Sequence, residues 1–187
     1  MAEPTANWQG RKPVNVVDLD LQAQVEKLAN EAMRSVVRGT FHSRDAAARA
    51  CGLAMQPITN KYGVEIGSLL FSLTGDGTGL TRVGSPVAGR ENCRLSYQCG
   101  VVVQNGGWVP GGLLSGYVHS HPIEARFSGN DLYVASIMQK QVNAAQDVTA
   151  YVSLPSGRLF AWSVRNLRDH PQRTWSDYAT RTTREVR

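Results

Sequence analysis

The stretch "GYVHSHPIEARFSGND" (Gly116–Asp131) decides how the chain folds, because strand, stop and helix start follow one another within it. The residues up to His121 suit a strand, on which alternate side chains point to one side. Pro122 ends it, because proline has no amide hydrogen to donate. Residues 123–127 form a short loop, and Ser128 begins a helix, with Asp131 completing an S-x-x-D capping pattern.

Working towards the N-terminus, residues 1–17 are polar, carry Pro4, Gly10 and Pro13, and read as a flexible arm. From Asp18 a helix is predicted, with Leu21, Val25, Leu28, Ala32 and Val36 as its apolar stripe and Gly39 as its end. A second helix starts at Ser43, with Asp45 in its first turn and Pro57 as its predicted stop. "GVEIGSLLFSL" (63–73) and "LSYQCGVVVQ" (95–104) read as strands, separated by a turn at "TGDGTG". "NGGWVPGG" (105–112) is a glycine-rich loop, whose Trp108 either packs it onto the core or flanks a cleft.

Towards the C-terminus, Leu132, Ala135, Met138 and Val142 line one side of the helix that follows Ser128. "VTAYVSL" and "LFAWSV" then alternate like two paired strands around the turn "PSGR". Residues 166–187 form a polar tail. The order of elements predicts one α/β domain over residues 18–165, a central sheet with helices packed on it.

Bulk properties narrow the function classes. With 187 residues, 42% hydrophobic and 19% charged, the chain suits a single globular domain. No apolar run approaches the roughly 20 residues of a membrane helix, and the first residues lack the apolar core of a secretory signal. Synthesis in the cytoplasm is expected, with export by a leaderless route open, and no membrane partner. The net charge of +5 arises in part from a tail that mixes both signs, so nucleic acid is not an expected partner. Three cysteines, Cys51, Cys93 and Cys99, are an odd count without a CxxC, and are expected to be free thiols.

On a strand, His119 and His121 project to the same side, and two imidazoles so placed can grip one metal ion. Asp131, in the first turn of the next helix and facing back towards the strand, can be the third ligand. Two histidines and an aspartate leave zinc an open position for water, the mark of a catalytic site. Glu65, in an apolar strand where a charge is costly, is the candidate proton acceptor. Ser128 is placed to donate to an oxyanion. Each residue also has a plain reading. Ser128 and Asp131 can simply cap a helix, H-x-H is common, and Glu65 can sit at a sheet edge in solvent.

The constellation Glu65, "HSH" (119–121) and "SGND" (128–131) resembles the JAMM metallopeptidases, also called the MPN-plus or JAB family, over about residues 43–164. The resemblance implies a JAB/MPN-like fold with a central mixed, curved sheet flanked by helices. It implies a zinc ion on His119, His121 and Asp131, with Glu65 as acid and base and Ser128 as oxyanion helper. The implied activity is hydrolysis of an amide or isopeptide bond in a protein or peptide. The sequence departs from the family in two places. "PIEARF" between His121 and Ser128 is one residue shorter than the family spacer, and "IGSLL" follows the glutamate in place of cysteine-glycine-leucine. The overall layout is most similar to a JAMM-like branch found in bacterial polymorphic and RHS-type toxins, which implies an effector with a regulatory or cognate immunity partner. Two other readings are a non-catalytic MPN-type scaffold and a toxin that hydrolyses cell-wall peptide.

Overall fold

The computed structural model describes residues 18–74, 79–94, 99–142, 147–164 and 183–187. The expected N-terminal arm and most of the polar tail lie outside the described residues. Helix α1 (Leu19–Ala32) starts on Asp18, whose side chain accepts the Leu21 N–H. The chain breaks at Met33 and continues as α2 (Arg34–Arg38). The buried row runs through Val25, Ala29 and Met33, one position off the expected row through Leu28 and Ala32.

Helix α3 (Arg44–Tyr62) begins at Ser43, whose hydroxyl accepts the Ala46 N–H. It turns Ala47, Ala48, Cys51, Gly52 and Met55 inward, small residues that let it lie close to the sheet. Pro57 does not stop it. Pro57 shares the exposed face with Leu53, the residue whose carbonyl it leaves unpaired, so water can take that carbonyl. The helix ends instead at Gly63, which has φ 70° and donates its N–H to Thr59. A side chain there would meet Asn92 at 2.5 Å, so only glycine makes this turn, and the turn delivers Glu65 to the sheet.

The strands are β1 (Ile66–Ser72), β2 (Thr81–Val83), β3 (Val87–Ala88), β4 (Leu113–Ser120), β5 (Thr149–Ser153), β6 (Leu159–Ser163) and β7 (Arg184–Val186). They form one sheet in the order β2-β1-β4-β5-β6-β7, with β3 also paired to β1. β4 and β5 are parallel and the other pairs antiparallel, so the sheet is mixed. Helix α4 (Gly129–Gln141) is the crossover that joins the parallel pair. A register shift between Leu70 and Phe71 bends the β1–β4 ladder and curves the sheet.

Strand alternation sorts the core into two layers. Ile66, Leu70, Val118, Tyr151, Leu159 and Ala161 pack under α1 and α3. Leu69, Tyr117, Ala150, Val152, Phe160 and Trp162 pack with Leu132, Ala135 and Met138 of α4 on the other face. His119 belongs to this second face.

Two further expectations need correction. The segment read as a strand over 95–104 is not one in its described part, where Val103–Asn105 form a 3-10 turn. Both edges of β1 are already taken, by β4 on one side and by β2 and β3 on the other, so the segment crosses over the sheet. The polar tail also ends in a strand, since Arg184–Val186 pair with β6. Among the described residues, no helix is long and apolar enough to cross a membrane.

Candidate metal centre

The site forms where three segments meet at the C-terminal end of β4. The register pairs Gly67 with His119, so two residues back along β1 and two forward along β4 bring Glu65 opposite His121. Gly67 allows close cover here, because a side chain would lie 2.4 Å from Val103. The chain after β4 is clamped from behind. Thr59 and Ser120 hydroxyls share a 2.6 Å hydrogen bond, the Ser120 hydroxyl accepts the Ile66 N–H, and Gln56 donates to the His121 carbonyl at 2.8 Å.

Both imidazoles present Nε2 to the same point. The two Nε2 atoms lie 3.0 Å apart, and His119 Nε2 is 3.3 Å from Asp131 Oδ1. His121 Nε2 is 3.8 Å from Asp131 Oδ2 and 3.6 Å from Glu65 Oε1. His121 donates from Nδ1 to the Ala125 carbonyl at 2.6 Å, which leaves its Nε2 lone pair free for a cation. The loop that supplies Ala125, residues 122–127, is thus tied to the site.

Asp131 is held from both ends. Its Oδ2 accepts the Ser128 N–H at 2.6 Å and the Ser128 hydroxyl at 2.8 Å, while Asp131 N–H donates to Ser128 Oγ at 3.3 Å. This is a full capping box. The Tyr117 hydroxyl donates to the Asp131 carbonyl at 2.5 Å, and its ring stacks on His119. The capped helix and the metal-ligand reading are therefore both present in one geometry: Oδ2 caps, and Oδ1 faces His119.

The charges behave as donors competing for one cation. Burial works against a proton on His119, but Asp131 beside it outweighs burial and raises its pKa. His121 is pushed down to about 4 by burial and by His119. Burial also opposes charge on Asp131, yet His119 holds it well below the usual carboxylate range. Glu65 is 9% exposed, and burial lifts its pKa to about 7, against the pull of His119. Two imidazole nitrogens and a carboxylate oxygen, all within 4.8 Å of one another, can hold a metal ion. The set of nitrogen and oxygen donors suits zinc.

The predicted residues Glu65, His119, His121, Ser128 and Asp131 all come together. Ser128 does so with its hydroxyl proton given to Asp131, so it positions that carboxylate. Trp108 is elsewhere. It packs on Phe71, six residues along β1 from Glu65, roughly 20 Å of strand. Sequence reasoning missed Gln56 and Tyr117. Tyr117 was findable, since it lies two residues before His119 on the same strand face. It also missed the Cys93–Cys99 disulfide; only Cys51, fully buried, is a free thiol. The odd count spoke against a framework of several bridges and said nothing against a single local clip. Comparison with protein-family models gives no match for this chain, and neither does comparison with curated proteins.

Proposed function

We propose that the chain is a zinc-dependent hydrolase of the JAMM type that cleaves an amide or isopeptide bond in a protein or peptide. One observation carries the reading: groups from β4, α4 and the start of β1 meet with separations of 3.0, 3.3 and 3.6 Å around a single point. The mixed curved sheet, with α3 on one face and α4 on the other, supports a JAB-like fold.

His119, His121 and Asp131 would hold the ion. Bound zinc would supply Lewis acidity to a water molecule and to the substrate carbonyl. The chain's own residues do the rest. Glu65, with a pKa near neutrality, takes a proton from the attacking water as the new carbon–oxygen bond forms. It returns that proton to the amide nitrogen as the carbon–nitrogen bond breaks, so the amine leaves neutral. Ser128 and Tyr117 fix Asp131, and Gln56 fixes the backbone of His121.

Glu65→Gln tests the reading. The variant keeps its metal and loses about 10²- to 10⁴-fold in turnover. Full activity in Glu65→Gln would end the proposal. In the bacterial-effector form of the proposal, wild type is toxic when expressed and Glu65→Gln is not. Toxicity confined to the periplasm would make the substrate cell-wall peptide, and toxicity confined to the cytoplasm an intracellular protein.

A further inference from the structure

Beside the histidines lies a second group of donor side chains, in which Glu65 meets two cysteines that the hydrolytic reading leaves unused. Donor atoms of Glu65, Cys93 and Cys99 all lie within 4.8 Å of one another. The two cysteines are joined, with Cα atoms 5.0 Å apart. The chain on both sides of the bridge is also held by contacts that do not depend on the bond. Cys93 donates its N–H to the Gly63 carbonyl at 2.7 Å, and Asn92 next to it donates to the Tyr62 carbonyl at 2.9 Å. On the other side, Gly100 lies against Gly89, where a side chain would meet the Gly100 carbonyl at 2.6 Å. A side chain on Gly100 would in turn lie 4.0 Å from Glu65 Oε2. Opening the disulfide therefore leaves the backbone that carries both cysteines held close to Glu65.

We propose that Cys93 and Cys99, when reduced, form with Glu65 a second cation site, specific for a thiophilic ion such as zinc or cadmium. Two thiolates and one carboxylate are three of the four ligands of tetrahedral zinc, with a position left for water. Thiolate donors select zinc, cadmium or copper(I) over magnesium and calcium. The reductant is a dithiol. One of its thiolates attacks Cys99, which is half-buried, and expels the Cys93 thiolate. Its second thiol closes on the mixed disulfide and frees Cys99. Two electrons pass to the protein, the dithiol becomes a cyclic disulfide, and both cysteines lose their protons when metal binds.

The site has a consequence that rests on the proposed hydrolase. Glu65 cannot both ligate the second ion and accept a proton, so reduced enzyme is inhibited by excess zinc while oxidised enzyme is not. The binding claim stands apart from that reading and is tested with metal alone.

The full-length chain, oxidised or reduced by dithiol and freed of it without air, is dialysed against cadmium and its metal counted. Reduced wild type binds one more cadmium per chain than oxidised wild type and gains a thiolate-to-cadmium charge-transfer band in the ultraviolet. Reduced His121→Ala keeps that band, which separates failure of the histidine site from failure of this one. Cys93→Ser loses the band. Alkylation of the reduced, folded wild type loses it too, and serves if the variant does not fold. Equal cadmium in the two redox states, extra cadmium without the band, or a band that survives alkylation would each overturn the proposal.

Discussion

Helices α3 and α4 open alike and end up with different work. Each starts on a serine that caps it, with an aspartate in the first turn: Ser43 with Asp45, Ser128 with Asp131. At α3, Asp45 takes the Tyr151 hydroxyl at 2.7 Å and both Arg184 nitrogens at 2.8 and 2.6 Å. Burial pushes its pKa up, and Arg184 and Tyr151 outweigh that and hold it below the usual value. Its acceptors are spent on a tie between α3 and β7. At α4, no arginine or lysine reaches Asp131 among the described residues, and its neighbours are two imidazoles that can give up their protons to a metal. A serine and a nearby aspartate mark where a helix starts. What the carboxylate then does is decided by the strand end that meets it, arginine-bearing β7 in one case and histidine-bearing β4 in the other.

The sharpest way to break this comparison is to neutralise each aspartate. Asp131→Asn should abolish zinc binding at the histidines, whereas Asp45→Asn should bind zinc like wild type; equilibrium dialysis of the two variants reads this directly. Next come the caps. Ser43→Ala and Ser128→Ala should each cost about 1 kcal/mol in urea denaturation. Only Ser128→Ala should also weaken zinc binding, by about 10- to 100-fold, because it releases Asp131 Oδ2. Equal zinc affinity in both would mean that the α4 cap is structural alone.

Glu65 sharpens the contrast between a buried carboxyl without a cationic partner of its own and one tied to an arginine. Its folded pKa, about 7, lies above the ordinary 4.5, so the metal-free fold carries a penalty that is absent below 4.5, grows as the pH rises from 4.5 to 7 and is complete above 7. Metal-free Glu65→Gln should therefore be more stable than wild type at pH about 8, by on the order of 1–3 kcal/mol, and no more stable in acid. Asp45 has the opposite sign. Its lowered pKa stabilises the fold above the ordinary 3.8, and that contribution is lost as the pH falls through the folded value. Asp45→Asn should cost about 1 kcal/mol near neutrality and less in acid, by the same denaturation assay.

How much of this was legible in the sequence follows from the range of each interaction. The β4–loop–α4 unit was readable because its signals are local: alternation at His119 and His121, a proline stop, and a capping pair three residues apart. Glu65 could be named, because a glutamate in an apolar strand invites a reason. Its place opposite His121 depends on the β1–β4 register, which no local pattern carries. Pro57 misled because its effect on a helix depends on which face it occupies, a tertiary fact. The segment after Cys99 looked like a strand by composition, but a strand needs a free edge and β1 has none. β7 was hidden in a polar tail because an edge strand with two exposed residues of three shows little apolar pattern.

The most direct measurement is the zinc content of the full-length oxidised chain after dialysis, wild type beside His121→Ala. About one zinc per wild-type chain and none in His121→Ala is the predicted result. A wild type that retains no zinc, or that holds the same amount as His121→Ala, would contradict the claim that these side chains converge to bind a metal.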